Sequence, residues 1–196
     1  ALLDYGMGNL HSAAKALEHV GATVDVTHDA KLIAQADKIV FPGVGAMRDC
    51  MQGMHEAGID EVIRHAVFNK PVLAICVGMQ ALMQSSEENG GADALGIFEG
   101  EVKHFPSMQG LKVPHMGWNQ VEHDGSHPLF KGIPSGSYFY FVHSYALEVT
   151  AATLATCNYG GPFTAVVGKD NFLGAQFHPE RSGKSGARLI QNFLEL

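Results

Sequence analysis

Three short stretches carry side chains able to do chemistry together. The first is "VLAICVGMQALM", residues 72–83, with Cys76 between a strand-like run and a helix-like run. A sharp strand-to-helix turn can hold a nucleophile at its tip if the residues two before and two after it are small. Ala74 and Gly78 meet that need. A following helix sets its positive end near Cys76, which favours a thiolate over a thiol. On this pattern alone, a reactive thiol and a buried structural cysteine are evenly matched.

The second stretch is "QFHPERS", residues 176–182. Pro179 drives His178 into an extended conformation. Residues i and i+2 of an extended chain share a side, roughly 6–7 Å apart. Glu180 would then orient the His178 ring and stabilise its charged form. His178 would take the proton from Cys76 and later protonate a leaving amine. By itself the tripeptide fits a solvated surface turn equally well. The third stretch is "FPGVGAM", residues 41–47. A Pro-Gly-x-Gly turn leaves backbone amides free to face a ligand. The amides of Val44 and Gly45, with that of Val77, would form an oxyanion hole, each donor worth about 3 kcal/mol in the barrier. On local grounds alone, a plain strand-to-helix turn is the stronger reading of this loop.

The elements that must position these groups follow from hydrophobic spacing. "ALLD", "TVDVT", "DKIVFPGVG" and "KPVLAIC" read as strands. Between them, "GNLHSAAKALEHVG" has Leu10, Ala13, Ala14, Leu17 and Val20 at helical spacing, with Gly21 as its stop. Residues 46–69 read as helix broken near Gly58, and "GMQALMQSS" as the helix after Cys76. Apolar strands alternating with helices predict a parallel sheet covered on both faces. From Gly96 the character changes to short strands with turn residues, which predict antiparallel hairpins. "FTAVVGKDNFLGAQF" is a further hairpin, and "GKSGARLIQNFLEL" a final helix. The expected class is α/β: a three-layer sandwich with a largely parallel central sheet flanked by helices, plus antiparallel hairpins in the second half. One domain over residues 1–196 is expected. Each of the three chemical stretches ends a strand, and ligands of open α/β sheets bind beyond those carboxyl ends. Together they make a complete set for acyl transfer through a thioester.

Composition narrows the alternatives. The chain has 196 residues, 46% hydrophobic and 17% charged, with a net charge of −7. That is a globular composition, and no basic run supports a nucleic-acid partner. No apolar stretch is long enough for a membrane helix, and no signal peptide is seen. The opening "ALLDYGMGN" reads as a strand already under way, so a residue or two is expected to be missing before Ala1. The three cysteines are odd in number and lie outside any CxxC. They fit a reducing compartment, hence the cytoplasm, and argue against disulfides or a thiolate zinc site. The eleven histidines lack the helical i, i+4 spacing of a zinc protease, so no metal and no cofactor are expected.

"FPGVG", "AICVGMQ" and "FHPE", in that order, resemble the oxyanion loop, elbow and late His-Pro-Glu of class I glutamine amidotransferases. The likeness runs nearly end to end. It implies a Cys76–His178–Glu180 triad. It also implies that Gln80 contacts a bound glutamine, and that backbone at His143-Ser144-Tyr145 holds the α-carboxylate side. The one departure is Ala74, where the family has glycine. "DYGMGNLHS", "VPHMGWNQV" and "YFYFVHSY" resemble, more narrowly, the glutaminase subunits of imidazole glycerol phosphate synthases of histidine biosynthesis. That resemblance implies hydrolysis of glutamine and delivery of ammonia to a separate cyclase subunit, a (βα)8 barrel, in a heterodimer. The glutaminase components of anthranilate and aminodeoxychorismate synthases are the alternative, followed by a stand-alone cysteine hydrolase. Trp118 sits in a Pro- and Gly-flanked segment and is read as an interface residue facing the cyclase, against a core-packing reading of nearly equal weight. Cys50 and Cys157 are read as packing residues. His104, His115, His123 and His127 are read as hairpin surface residues.

Overall fold

The computed structural model describes residues 1–66 and 69–196. Its centre is a seven-stranded sheet in the order β11-β12-β13-β4-β3-β1-β2. Strands β1 (Leu2–Leu3), β2 (Val26–Thr27), β3 (Ile39–Gly43), β4 (Val72–Cys76) and β13 (Phe172–Ala175) run parallel. β11 (Thr153–Asn158) and β12 (Pro162–Lys169) extend the sheet antiparallel. β3, β4 and β13 are buried along their whole length. That explains their continuous apolar runs, because such strands are covered on both faces.

Helices α1 (Leu10–His19), α2 (Ala30–Gln35), α3 (Met47–Glu56) and α4 (Ile59–Ala66) link the parallel strands, and α6 (Gly183–Glu195) closes the chain. β1 steps outward to β2, whereas β2 steps back to β3 and on to β4. Right-handed crossovers then put α1 on one face and α2, α3 and α4 on the other. α6 packs with α1, while α3 packs with α4 and α2 with α4. This is the expected three-layer arrangement. α1 starts at Asn9, whose side chain accepts from the Ser12 amide, and buries Ala13 and Leu17. The break at Gly58 is real, at φ +67° between α3 and α4. The expected helix over 46–69 includes residues 67 and 68, which lie outside the described residues.

The second half adds a four-stranded sheet, β10 (Tyr145–Leu147), β7 (Glu101–His104), β5 (Ser85–Ser86) and β6 (Ala92–Asp93), and a two-stranded antiparallel ribbon of β8 (His115–Val121) with β9 (Ser137–His143). One expectation fails in detail. The helix after Cys76, α5 (Val77–Ala81), is much shorter than "GMQALMQSS". Residues 95–98 capture the carbonyls of Ala81, Leu82 and Met83, so no further turn can form. Among the described residues, no helix is long and apolar enough to cross a membrane.

Candidate active site

Strand register sets the site. Gly43 at the end of β3 pairs with Cys76 at the end of β4, and Ala175 of β13 pairs with Ile75. Three distant segments therefore finish side by side at the carboxyl edge of the sheet. Cys76 stands in the middle, with the Pro-Gly loop on one flank and the His178 segment on the other.

The turn at Cys76 is strained. Its backbone lies at φ 55° and ψ −115°, a region costing a non-glycine residue about 1–3 kcal/mol. Such a turn needs close packing beneath it. A Cβ on Gly78 would fall 2.4 Å from the Phe41 carbonyl oxygen, and one on Gly43 would fall 2.5 Å from the Gly78 nitrogen. Both glycines are thus steric requirements. Ala74 is fully buried in β4, so its methyl is accommodated where the family carries glycine. Because α5 has only five residues, its dipole helps a thiolate less than the expected longer helix would.

His178 and Glu180 meet, but not through an extended chain. His178 is extended, and Pro179–Arg181 then forms a 3-10 turn that folds Glu180 back. Nδ1 of His178 lies 2.6 Å from Oε1 of Glu180, with both side chains about 5% exposed or less. Burial works against charge on the ring. The neighbouring Cys76 sulfur and the Glu180 carboxylate outweigh it and push the His178 pKa up to about 10. Among the described residues, Nε2 nevertheless makes no hydrogen bond of good geometry. The contact with the Cys76 sulfur is loose, as such contacts often are until substrate draws them together.

A cavity of about 350 Å³ opens at the thiol. Val44, Gly45, Val77, Gln80, His143, Ser144 and Tyr145, all expected site residues, line it together with Cys76 and His178. Glu180 stands behind His178. The amides of Val44 and Gly45 make no hydrogen bond among the described residues, and Val77 is the first residue of α5, where an amide has no helical partner. A larger depression of about 720 Å³, lined by Ala1, Asp25 and Lys38 among others, sits at the opposite edge of the sheet, away from the thiol, His178 and Glu180.

Two polar side chains at this site, Glu88 and Gln176, escaped sequence reasoning, as did the lining residues Pro114 and Val142. Glu88 lines the cavity, and its Oε2 accepts from the Met47 amide at 2.7 Å. Gln176 accepts at Oε1 from Gln80 Nε2 at 3.0 Å, and its own Nε2 lies 3.8 Å from the Cys76 sulfur. The signal for Gln176 is its place two residues before His178, just past the end of β13, which runs to the same edge. No local signal marks Glu88. Gln80 spends both amide hydrogens on protein, the second on the Tyr145 carbonyl at 3.0 Å. Only its Oε1 is left for a ligand. Trp118 lies outside the cavity, 55% exposed beside Met116 and Tyr138 on the outer face of the ribbon, so it is not a core residue.

The model of the family described as "Glutamine amidotransferase class-I" matches residues 1–196. The chain belongs to the class I glutamine amidotransferases. This amidotransferase is 71% identical over 198 residues to an Acinetobacter baylyi protein described as "Imidazole glycerol phosphate synthase subunit HisH", covering 100% of this chain and 97% of that one. A Methylococcus capsulatus protein of the same description is 52% identical, covering 99% and 94%. A solved structure described as a glutamine amidotransferase superposes with a TM-score of 0.75 at 18% identity, covering 99% and 97% of the two chains, which shows the shared fold. Cys50 and Cys157 of the amidotransferase are buried, as expected of packing residues. His115 contradicts its expectation. It is 3% exposed, because alternation along β8 turns it inward while Met116 and Trp118 face out.

Proposed function

We propose that the chain is the glutaminase subunit of an imidazole glycerol phosphate synthase, one amidotransferase domain acting in the cytoplasm for histidine biosynthesis. The observation that carries this reading is 71% identity along the whole chain to a relative so described. The site geometry supplies the chemistry. Cys76 attacks the γ-carboxamide carbon of glutamine. His178, whose ring stays charged up to about pH 10, already holds the proton and gives it to the departing ammonia. Glu180, 2.6 Å from Nδ1, fixes the ring so that Nε2 faces the thiol, and stabilises the imidazolium. The amides of Val44, Gly45 and Val77 receive the oxyanion. Water, activated by His178, then hydrolyses the thioester to glutamate.

The cavity suits a small zwitterion. Backbone at His143-Ser144-Tyr145 takes the α-carboxylate, while Glu88 and Gln80 Oε1 offer acceptors to the α-ammonium. The route uses no metal and no cofactor. Ammonia passes to a separate cyclase of (βα)8 fold, with Trp118, Met116 and Tyr138 as the docking face, since exposed aromatic clusters are typical interface anchors. The test is glutamate release from glutamine by the chain mixed with a cyclase subunit. Cys76→Ala should abolish it. Release that survives the substitution overturns the mechanism.

A further inference from the structure

A run of hydrogen bonds, exposed at its outer end and buried toward the thiol, joins the β8–β9 ribbon to Cys76, and the reaction above leaves most of it unused. Its directions are fixed by one group that can only accept, the Tyr145 carbonyl. His143 Nδ1 lies 2.8 Å from that oxygen and must donate to it. Burial keeps the His143 ring neutral, its pKa held down to about 3. A neutral ring with its hydrogen on Nδ1 has a lone pair on Nε2. His115 Nδ1, 2.9 Å away, therefore donates. Burial holds His115 neutral as well, near 4, so its Nε2 accepts from Asn119 Nδ2 at 3.1 Å. The second hydrogen of Asn119 Nδ2 goes to the Asn158 carbonyl at 3.0 Å. On the far side of Tyr145, the same carbonyl accepts from Gln80, which continues through Gln176 to the sulfur. One assignment of hydrogens satisfies every group in the run.

The His115 ring is also clamped. It stacks on Phe141 at 4.8 Å and on Tyr159 at 4.0 Å between centroids. A group held this rigidly, with one possible tautomer, suits the task of holding another group in place. We propose that His115 is a positioning residue for the glutamine pocket: its Nδ1–H locks the His143 tautomer, which anchors the Tyr145 carbonyl and so fixes the backbone at 143–145 that lines the cavity. The proposal rests on the glutaminase reading of that cavity. Without the His115 donor, Nε2 of His143 becomes a buried orphan. The ring then gains by moving its hydrogen or turning, and either change releases Tyr145.

Two measurements test this. In the full-length wild-type protein at pH 7, ¹⁵N NMR of the imidazoles should show both rings neutral with hydrogen on Nδ1. An Nε2–H tautomer or an imidazolium at either residue overturns the relay. In the complex with the cyclase subunit, His115→Phe keeps the aromatic stack and removes the donor. It should raise KM for glutamine about tenfold, the effect of one unpaired buried acceptor, with kcat nearly unchanged. His115→Gln, which restores a donor, should recover most of the loss. A folded His115→Phe protein with wild-type KM and an unchanged His143 signal refutes the proposal. A wild-type complex that releases no glutamate would instead overturn the glutaminase reading, and the tautomer measurement would still decide the relay.

Discussion

Replacing Glu180 by glutamine tests the triad through stability as well as rate. The substitution keeps an acceptor for Nδ1 but removes the charge. In the native protein the His178 pKa stands at about 10 against an ordinary 6.5. That difference is about 4–5 kcal/mol of preference for the charged ring. Cys76 and Glu180 both raise it against burial, and losing Glu180 should cost on the order of 2 kcal/mol. A ring whose pKa is higher in the folded state stabilises the fold fully below pH 6.5, and the gain fades as pH rises through about 10. Glu180→Gln should therefore destabilise most near pH 6 and progressively less toward pH 10. At 2–4 °C per kcal/mol for a chain of this size, the wild type should melt about 4–8 °C above the variant at pH 6. Thermal melts of both proteins across this range measure it. A gap that stays constant, or widens as pH rises, refutes the account of His178. In the complex, glutamate release should fall on the order of 10³–10⁴-fold, as when a triad carboxylate loses its charge.

Three further outcomes follow from the same geometry. Gly78→Ala drives a methyl to 2.4 Å from the buried Phe41 carbonyl, so melting should drop by about 5 °C or more; a drop under about 1 °C would show that the elbow is loosely packed. Cys76→Gly should be about 1 kcal/mol more stable in urea than Cys76→Ala, because glycine accepts φ 55° without strain; equal stability would remove the strain from the account. Trp118→Ala should weaken the cyclase complex by about 2 kcal/mol, roughly thirtyfold, without changing the melting temperature of the free chain; unchanged affinity in titration calorimetry sinks the interface assignment.

Much of this was legible because backbone preference and burial leave local marks. Continuous apolar runs marked β3, β4 and β13 as strands covered on both faces. Small residues around Cys76 marked a tight turn, and a Cβ at Gly78 would indeed collide with β3. Pro179 marked a break after His178, but not its form. Whether the chain stays extended or folds into a 3-10 turn depends on what receives its polar groups. Here the Ser182 hydroxyl donates to the His178 carbonyl and accepts from the Tyr140 amide, which ties the turn to β9.

The sequence by itself therefore determined the alternation of strands and helices and the tight turn around Cys76. Those depend on residues close together in the chain. The tertiary structure alone decided what depends on distant partners. It stopped α5 after five residues, because residues 95–98 claim its last carbonyls. It brought Glu88 to the cavity and set Gln176 behind Gln80. It also buried His115, since only the packing of Phe141 and Tyr159 against the ribbon tells which face of β8 is inside.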